Sequence, residues 1–153
     1  MSRDTASLMD DLAIREVLYG YAAGVDRRDW ALFRDCFTDE VTVDLSSWNG
    51  RPAATLRADD WVAGVRAGIS GFDATQHLTA NHRVRVDGDR ARCTSEVQAT
   101  HVLGGERVVL GGWYDTGLRR TPAGWRIASS TLHVTWREGR EELFAEAARR
   151  TRS

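Results

Sequence analysis

The apolar residues in the first half of the chain recur at helical spacing and predict three helices. The first helix opens at a capping signal on Ser7 and carries an apolar stripe through about Val25. Asp29 caps a second, shorter helix. A third helix starts at Asp59 and has Gly71 as its expected stop.

Alternation of apolar and polar residues predicts strands elsewhere in the chain. Residues 41–45 alternate over one short strand, and residues 76–134 form long strands joined by short turns. In the middle strand, the odd positions from Ala91 to Leu103 share an apolar face. A charged helix over residues 140–150 follows. Helices followed by an antiparallel meander predict one α+β domain over residues 1–153, in which the early helices cross one face of a curved sheet that encloses a cavity.

Composition and charge narrow the chemistry that this domain performs. The chain has 153 residues, and its 21 basic and 22 acidic residues give a formal charge of −1, so no strong field attracts nucleic acid or an anionic membrane. Every basic residue is an arginine, which excludes the Schiff-base, pyridoxal-phosphate and P-loop chemistry that needs a lysine. The two cysteines, Cys36 and Cys93, lie far apart and indicate neither a disulfide framework nor a zinc site. The chain lacks an apolar run that would span a bilayer, and its N-terminus is too acidic and polar for a signal peptide, so we expect a cytoplasmic protein that acts on a small molecule.

Two histidines are candidates for a site inside the cavity. His101 lies on the apolar face of its strand, where a polar ring must find a partner or serve a function, and the spacing alone favours a core histidine. His77 shares a face with two solvated arginines if its strand alternates without interruption. It reaches the cavity only if it precedes the regular strand or if a bulge near Asn81 resets the alternation. The other histidines, His82 and His133, are expected at the surface.

A carboxylate and two phenols complete the set of candidates. Asp26 ends the first helix, and it is either a solvated carboxylate paired with an arginine or a carboxylate turned inward toward a histidine. The inward arrangement fixes the tautomer of the imidazole and raises its basicity, as a general base requires. Tyr21, about one turn earlier, is either core filler or a phenol donor in the cavity. Tyr114 follows Gly112 on the same face, and the glycine leaves room for a ligand beside the phenol.

Several of these segments resemble known enzymes. The segment Asp26-Arg27-Arg28-Asp29-Trp30 is similar to the first third of scytalone dehydratase, and the Gly111-Gly112-Trp113-Tyr114 stretch resembles hexachlorocyclohexane dehydrochlorinase. Both belong to the SnoaL-like branch of the nuclear-transport-factor-2-like superfamily. Further positions that carry the likeness to scytalone dehydratase are Arg34, Cys36, Asp44, Ser47, Thr75, Gln76, His77, His101, Trp125 and Trp136.

The resemblance implies a cone of curved antiparallel sheet that three helices of the N-terminal half close around a deep pocket, with a further helix at the C-terminus. It implies that Asp26 and His77 form the dyad that removes a proton, and that His101 passes the proton to or from the leaving hydroxyl. Metals and organic cofactors take no part in these relatives. A homodimer or homotrimer is expected, and Val109 and Trp113 suit its interface. The substrate-binding residues expected in the pocket are Tyr21, Trp48, Tyr114, Ser130 and Leu132.

The chain departs from both relatives at positions that serve their substrates. Val25 and Leu45 stand where scytalone dehydratase has tyrosines, and Gly112 and Tyr114 stand where it has a serine and an asparagine. Ser130 stands where the dehydrochlorinase has a functional arginine. Scytalone and halogenated compounds are therefore not the expected substrates.

We predict a cofactor-independent lyase of the dehydratase type that acts on a small apolar or cyclic carbonyl compound. His77 takes the proton next to the carbonyl, Tyr21 or Tyr114 stabilises the enolate oxygen, and His101 protonates the departing hydroxyl. Isomerisation, polyketide cyclisation or epoxide opening begins at the same site, and a non-catalytic small-molecule-binding module is the alternative of a different class.

Overall fold

The computed structural model describes residues 5–152, which form helices in the first half and long strands in the second. Within this range, no helix has both the length and the apolar character needed to cross a membrane. The helices are α1 (Thr5–Arg27), α2 (Trp30–Asp35), α3 (Ser46–Asn49), α4 (Ala58–Ile69) and α5 (Glu142–Arg152). The strands are β1 (Phe37–Asp44), β2 (Ala54–Arg57), β3 (Ala74–Asp87), β4 (Arg90–Leu103), β5 (Glu106–Thr121) and β6 (Gly124–Gly139).

The strands form one curved sheet in the order β2-β1-β6-β5-β4-β3. β3 to β6 are an antiparallel meander, so the predicted α+β fold is confirmed. The sequence did not reveal that β1 pairs in parallel with β6, or that α3 and β2 follow β1. Shifts of register within β3, between Gly111 and Gly112, and between Gly117 and Leu118 bend the sheet around the helices that pack on its inner face.

The faces of β4 follow the alternation that its sequence predicts. Cys93, Val97 and His101 are buried on the inner face, whereas Arg92 and Glu96 are exposed on the outer face. The main core lies where α1 and α2 pack on the inner face of the sheet, because apolar side chains from both layers meet there and leave water. Its largest fully buried side chains include Ile14, Phe33, Val41, Leu118 and Ile127.

A bulge in β3 settles which face His77 occupies. The register between β3 and β4 shifts between Ala80 and Arg83, and Asn81 within this interval has a φ of 54°. The extra residue reverses the alternation, so His77 before the bulge and His82 after it both point inward. The surface position expected for His82 is therefore wrong: its Nε2 is sealed from solvent and has no hydrogen-bond partner among the described residues.

The ends of the helices match the sequence signals only in part. Asp29 caps α2 as predicted, because its carboxylate accepts the backbone N–H of Leu32 at 3.0 Å. Ser7 is not an N-cap, since α1 already includes the two preceding residues. Gly71 does not itself end α4: a Cβ at this position would lie 1.9 Å from the carbonyl oxygen of Ala147, so the glycine is needed for the close packing of α5.

Candidate active site

A cavity of about 530 Å³ lies between the inner face of the sheet and the helices α1, α3, α4 and α5. Its walls are mainly apolar. Val25 and Leu45, the two replacements of scytalone dehydratase tyrosines, line it together with the expected residues Trp48 and Leu132. Phe144 of α5, which the sequence analysis missed as a wall residue, packs its ring 4.9 Å from that of Trp48. A cavity of this size and character suits a small cyclic molecule.

His77 lines this cavity, and its ring contacts Asp26, although 51 positions separate the two residues in the chain. Asp26 itself borders a separate pocket, which His77 also lines. The His77 Nδ1 lies 2.7 Å from Asp26 Oδ1, and the His77 backbone N–H donates to Asp26 Oδ2 at 2.7 Å. Because a carboxylate only accepts, Nδ1 carries the proton of the neutral ring and Nε2 keeps its lone pair. The two side chains are only 9% and 19% exposed for His77 and Asp26, respectively. The pair therefore has the geometry of an oriented general base.

The surroundings of Asp26 keep it ionised. Burial acts to raise the pKa of this carboxyl group, but the hydrogen bonds from His77 and Thr75 outweigh that effect and hold the pKa below its usual range. A carboxylate that stays negative stabilises the imidazolium that His77 becomes when it takes a proton.

Arg28 is connected to this carboxylate by hydrogen bonds through Thr75. Its Nη1 donates to Thr75 Oγ1 at 2.7 Å and to the carbonyl oxygen of Val25 at 2.8 Å, and its Nη2 donates to the carbonyl oxygen of Ile69 at 3.2 Å. Thr75 Oγ1 in turn donates to Asp26 Oδ1 at 3.1 Å. The sequence analysis assigned Arg28 no role in the site, but its left-handed backbone, with a φ of 59°, turns the side chain inward where α1 ends.

His101 is the second imidazole at the cavity wall, and its ring centre lies 5.5 Å from that of His77. It is 2% exposed, and the rings of Phe72 and Phe144 pack against it at 5.1 and 4.8 Å. Its Nδ1 has no hydrogen-bond partner among the described residues. Burial, followed by the nearby His77, lowers the pKa of His101 to about 3. The ring is therefore neutral near neutral pH and does not supply the proton of an imidazolium.

Tyr21 and Tyr114 pack edge to face at the wall of the cavity, with ring centres 5.9 Å apart. Burial is the main cause that raises the pKa of both phenols, so both remain protonated donors at ordinary pH. The space expected beside Tyr114 is absent at Gly112, because a Cβ there would lie 1.9 Å from the carbonyl oxygen of His133. Gly112 therefore accommodates the backbone of β6 at the bulge, and the prediction that it makes room for a ligand is wrong.

Ser130 differs from the other expected lining residues. It is buried, but it borders a separate chamber of about 20 Å³ together with Ser95 and Thr116. Tyr21 and Tyr114 border both spaces and form the partition between them. In this structure Ser130 thus lies outside the main cavity. Among the described residues, no group of three histidine, cysteine or acidic side chains is arranged to hold a metal ion.

The chain was compared with protein families and known proteins. Residues 6–131 match the model of the SnoaL-like domain. An uncharacterized protein of Mycobacterium tuberculosis is 30% identical over 125 residues, which cover 80% of this chain and 83% of that protein. The crystal structure of a protein from Kribbella flavida is similar with a TM-score of 0.83 and 32% identity, covering 96% of this chain and 99% of the other.

Two more distant structures share the fold. A candidate scytalone dehydratase of Novosphingobium aromaticivorans has a TM-score of 0.74 at 20% identity, covering 88% of this chain and 89% of its own. A hexachlorocyclohexane dehydrochlorinase from Novosphingobium barchaimii has a TM-score of 0.71 at 17% identity, covering 88% of this chain and 92% of its own. These matches agree with the resemblance found in the sequence. The chain belongs to the family of SnoaL-like domains, which have the nuclear-transport-factor-2-like fold.

Proposed function

We propose that the chain is a cofactor-independent lyase that removes the proton alpha to a carbonyl group and eliminates water from a small apolar or cyclic substrate. In this proposal it acts in the cytoplasm as a homodimer or homotrimer. The observation that carries the proposal is the 2.7 Å contact between His77 Nδ1 and Asp26 at the wall of an apolar cavity. Buried in this way, the pair leaves His77 Nε2 as the basic atom that a substrate meets.

The proton moves through His77 alone. Nε2 takes the α-proton, and the electrons of the broken C–H bond form an enolate. The enolate collapses to a carbon–carbon double bond, the bond from the β-carbon to oxygen breaks, and the hydroxyl leaves with the proton that Nε2 returns, as water. A positioned base of this kind contributes roughly 10²–10⁴-fold to the rate. Asp26 stabilises the imidazolium between the two proton transfers.

Uncharged side chains contact the two oxygens of the substrate, the carbonyl oxygen and the leaving hydroxyl. The phenol of Tyr21 or Tyr114 donates to the developing enolate oxygen, and a donor of this type contributes roughly 10²–10³-fold. His101 contacts the leaving hydroxyl as a neutral ring, because its burial among aromatic rings opposes the charged form. This role replaces the proton transfer expected of His101 from the sequence.

The proteins of the same fold support this class of reaction. One is named for a dehydratase and one for a dehydrochlorinase, and both names describe an elimination from a small molecule. An isomerase is the second candidate function, because a single base that takes and returns one proton also serves a reaction that moves a double bond.

Turnover of a panel of cyclic β-hydroxy ketones, with products identified by mass spectrometry, tests the proposal. We expect loss of water with the wild-type chain and no turnover with His77→Ala. His133→Ala is the matched control, since this histidine stacks on Trp113 on the outer face of the sheet and is expected to leave turnover unchanged. Full activity of His77→Ala would rule out the mechanism. Binding of the panel without turnover, unaffected by the same substitution, would favour a non-catalytic binding module.

A further inference from the structure

The buried polar side chains lie at the inner end of the cavity, and its charged side chain lies at the mouth. His77, His101 and Tyr114 are at its buried end, whereas Asn49 and Arg51 line it from exposed positions and mark its mouth. Arg51 is the single residue among the described lining residues whose side chain is charged at every ordinary pH.

The side chain of Arg51 makes no hydrogen bond or ion pair with the part of the chain that the structure describes. Arg137, which contacts the backbone of α3, differs: its Nη1 pairs with Glu141 at 2.7 Å and its Nη2 donates to the carbonyl oxygen of Ser47 at 2.8 Å. In contrast, the described residues offer the Arg51 guanidinium no ion pair or side-chain hydrogen bond, so its donors are free for a ligand.

The backbone that carries Arg51 is held firmly. In α3, Ser47 Oγ donates to the carbonyl oxygen of Leu132 at 2.5 Å and accepts the backbone N–H of Val134 at 2.9 Å. Gly50 then turns the chain with a φ of 71°, and the Arg51 backbone N–H donates to Asn49 Oδ1 at 2.9 Å. The anchor of the arginine is therefore fixed before any ligand arrives, which lowers the entropy cost of binding.

The opposite side of the mouth leaves space for a polar group. Gly64 and Gly68 of α4 line the cavity, and a Cβ built on either glycine meets no atom within 4 Å. Ala145 and Ala148 of α5 add small side chains beside them. A substituent of a bound ring can therefore extend toward the mouth without displacing the helices.

The two ends of the cavity also differ in charge. At the buried end, the charge of Asp26 beside His77 is balanced by Arg28, which reaches it through Thr75. Arg51 at the mouth, in contrast, has no acidic partner among the described residues and attracts an anion. An anionic group on the substrate would thus be turned outward, and the reacting carbonyl would be turned toward His77.

We infer that Arg51 forms a carboxylate subsite at the mouth of the cavity, so that the substrate is a cyclic carbonyl compound with an acid group at the end remote from the reacting carbon. The inference rests on the proposed function in naming the bound molecule a substrate. The subsite itself is a binding property, which can be measured without turnover.

Calorimetric titration with cinnamate and cinnamamide tests the subsite, because these probes share one shape and differ in charge. Near neutral pH and at low ionic strength, we expect the wild-type chain to bind cinnamate roughly three- to tenfold more tightly than cinnamamide. Arg51→Gln is expected to remove this preference by weakening the binding of cinnamate alone, and added salt is expected to reduce it. Arg66→Gln is the matched control, since Arg66 is an exposed arginine of α4 outside the cavity lining and its loss is expected to keep the preference.

Equal affinity of the two probes for the wild-type chain would overturn the inference, as would a preference that survives in Arg51→Gln. Failure of the wild-type chain to bind cinnamate would also overturn it. The preference for cinnamate over cinnamamide is expected to persist in His77→Ala, because Arg51 remains in place. A failed subsite is therefore distinguishable from a failed lyase proposal, which only the loss of turnover addresses.

Discussion

The polar groups around Asp10, at the base of the fold, and those of the cavity differ in how fully they are hydrogen-bonded. At the base, Asp10 accepts two hydrogen bonds from Arg120, at 2.9 and 2.8 Å, and a third from Trp125 Nε1 at 3.0 Å. At the cavity, the buried Nε1 of Trp61 and Nδ1 of His101 have no hydrogen-bond partner among the described residues. Each such orphan group costs about 1–3 kcal/mol of stability. The contacts at the base therefore hold α1 to β5 and β6, whereas the cavity wall contains buried polar groups that cost stability.

The difference implies that substitutions in the two regions have different consequences. A change at the base removes contacts that hold the sheet and helices together, so it acts on the free energy of unfolding. A change at the cavity removes groups that serve the proposed reaction, so it is expected to act mainly on turnover. The predictions that follow test this separation from the largest expected effect to the smallest.

Replacement of the dyad carboxylate has the largest expected effect. Asp26→Asn removes the charge that stabilises the His77 imidazolium, and we expect kcat/KM to fall roughly 10²–10⁴-fold while the melting temperature stays near that of the wild type. Because the two residues act as a unit, the double variant with His77→Ala is expected to be no less active than His77→Ala alone. Steady-state kinetics and thermal unfolding measure the two quantities. Additive losses in the double variant would contradict a shared role.

Truncation of a side chain in the main core is expected to lower the free energy of unfolding more than truncation at the cavity wall. Phe33 is fully buried between Tyr21 and Phe37, with ring centres 5.1 and 5.0 Å away, and Phe33→Ala is expected to lower the free energy of unfolding by about 3–5 kcal/mol. Leu132→Ala at the cavity wall is the comparison, because its side chain borders existing empty space and loses fewer contacts. Denaturant unfolding of both variants checks the prediction. An equal loss at the two sites would remove the distinction between the regions.

Sequence reasoning succeeded where local patterns decide the structure. The alternation of β4 and the cap at Asp29 depend on residues close to one another in the chain, and both are found as predicted. The inward position of His77 depends on the bulge around Asn81. The alternation of β3 was compatible with a bulge but did not predict whether one forms, because the partner strand fixes the register.

The remaining errors share a non-local cause. Gly71 and Gly112 are required because a distant backbone comes within 1.9 Å of where a Cβ would stand, and a sequence does not show such an approach. Arg27 and Arg28 are equivalent as residue types, yet only the left-handed backbone at Arg28 sends a guanidinium inward. Ser130 is only two residues from Leu132 on the same strand, but packed tyrosines divide their chambers. Each outcome depends on how separate elements pack.

Loss of the hydrogen bonds that join Arg28 to Asp26 through Thr75 is expected to reduce activity moderately. Thr75→Val removes the hydroxyl that donates to Asp26 and accepts from Arg28, so we expect kcat/KM to fall roughly tenfold, the equivalent of one hydrogen bond of about 1.4 kcal/mol. Loss of that hydrogen bond also raises the pKa of Asp26, so the acid limb of the pH–rate profile is expected to move to higher pH. Thr75→Ser keeps the hydroxyl and is expected to restore both. An unshifted profile in Thr75→Val would leave Thr75 as a packing residue only.

Near neutral pH, the smallest expected effect is a pH dependence of stability that the buried ring of His101 creates, and it grows as the pH falls further. The pKa of this ring is about 3 in the folded chain, against about 6.5 for an unperturbed imidazole. Between these pH values His101 is protonated in the unfolded chain and neutral in the folded chain. The free energy of unfolding therefore falls as the pH drops below about 6.5, by up to about 1.4 kcal/mol per pH unit. His82, whose pKa burial also lowers, acts in the same direction. Denaturant unfolding across this range is expected to show a shallower slope for His101→Asn and a smaller change for His82→Asn. A wild-type slope in His101→Asn would mean that the ring takes up its proton in the folded state, and that it could then serve as the acid that the sequence first suggested.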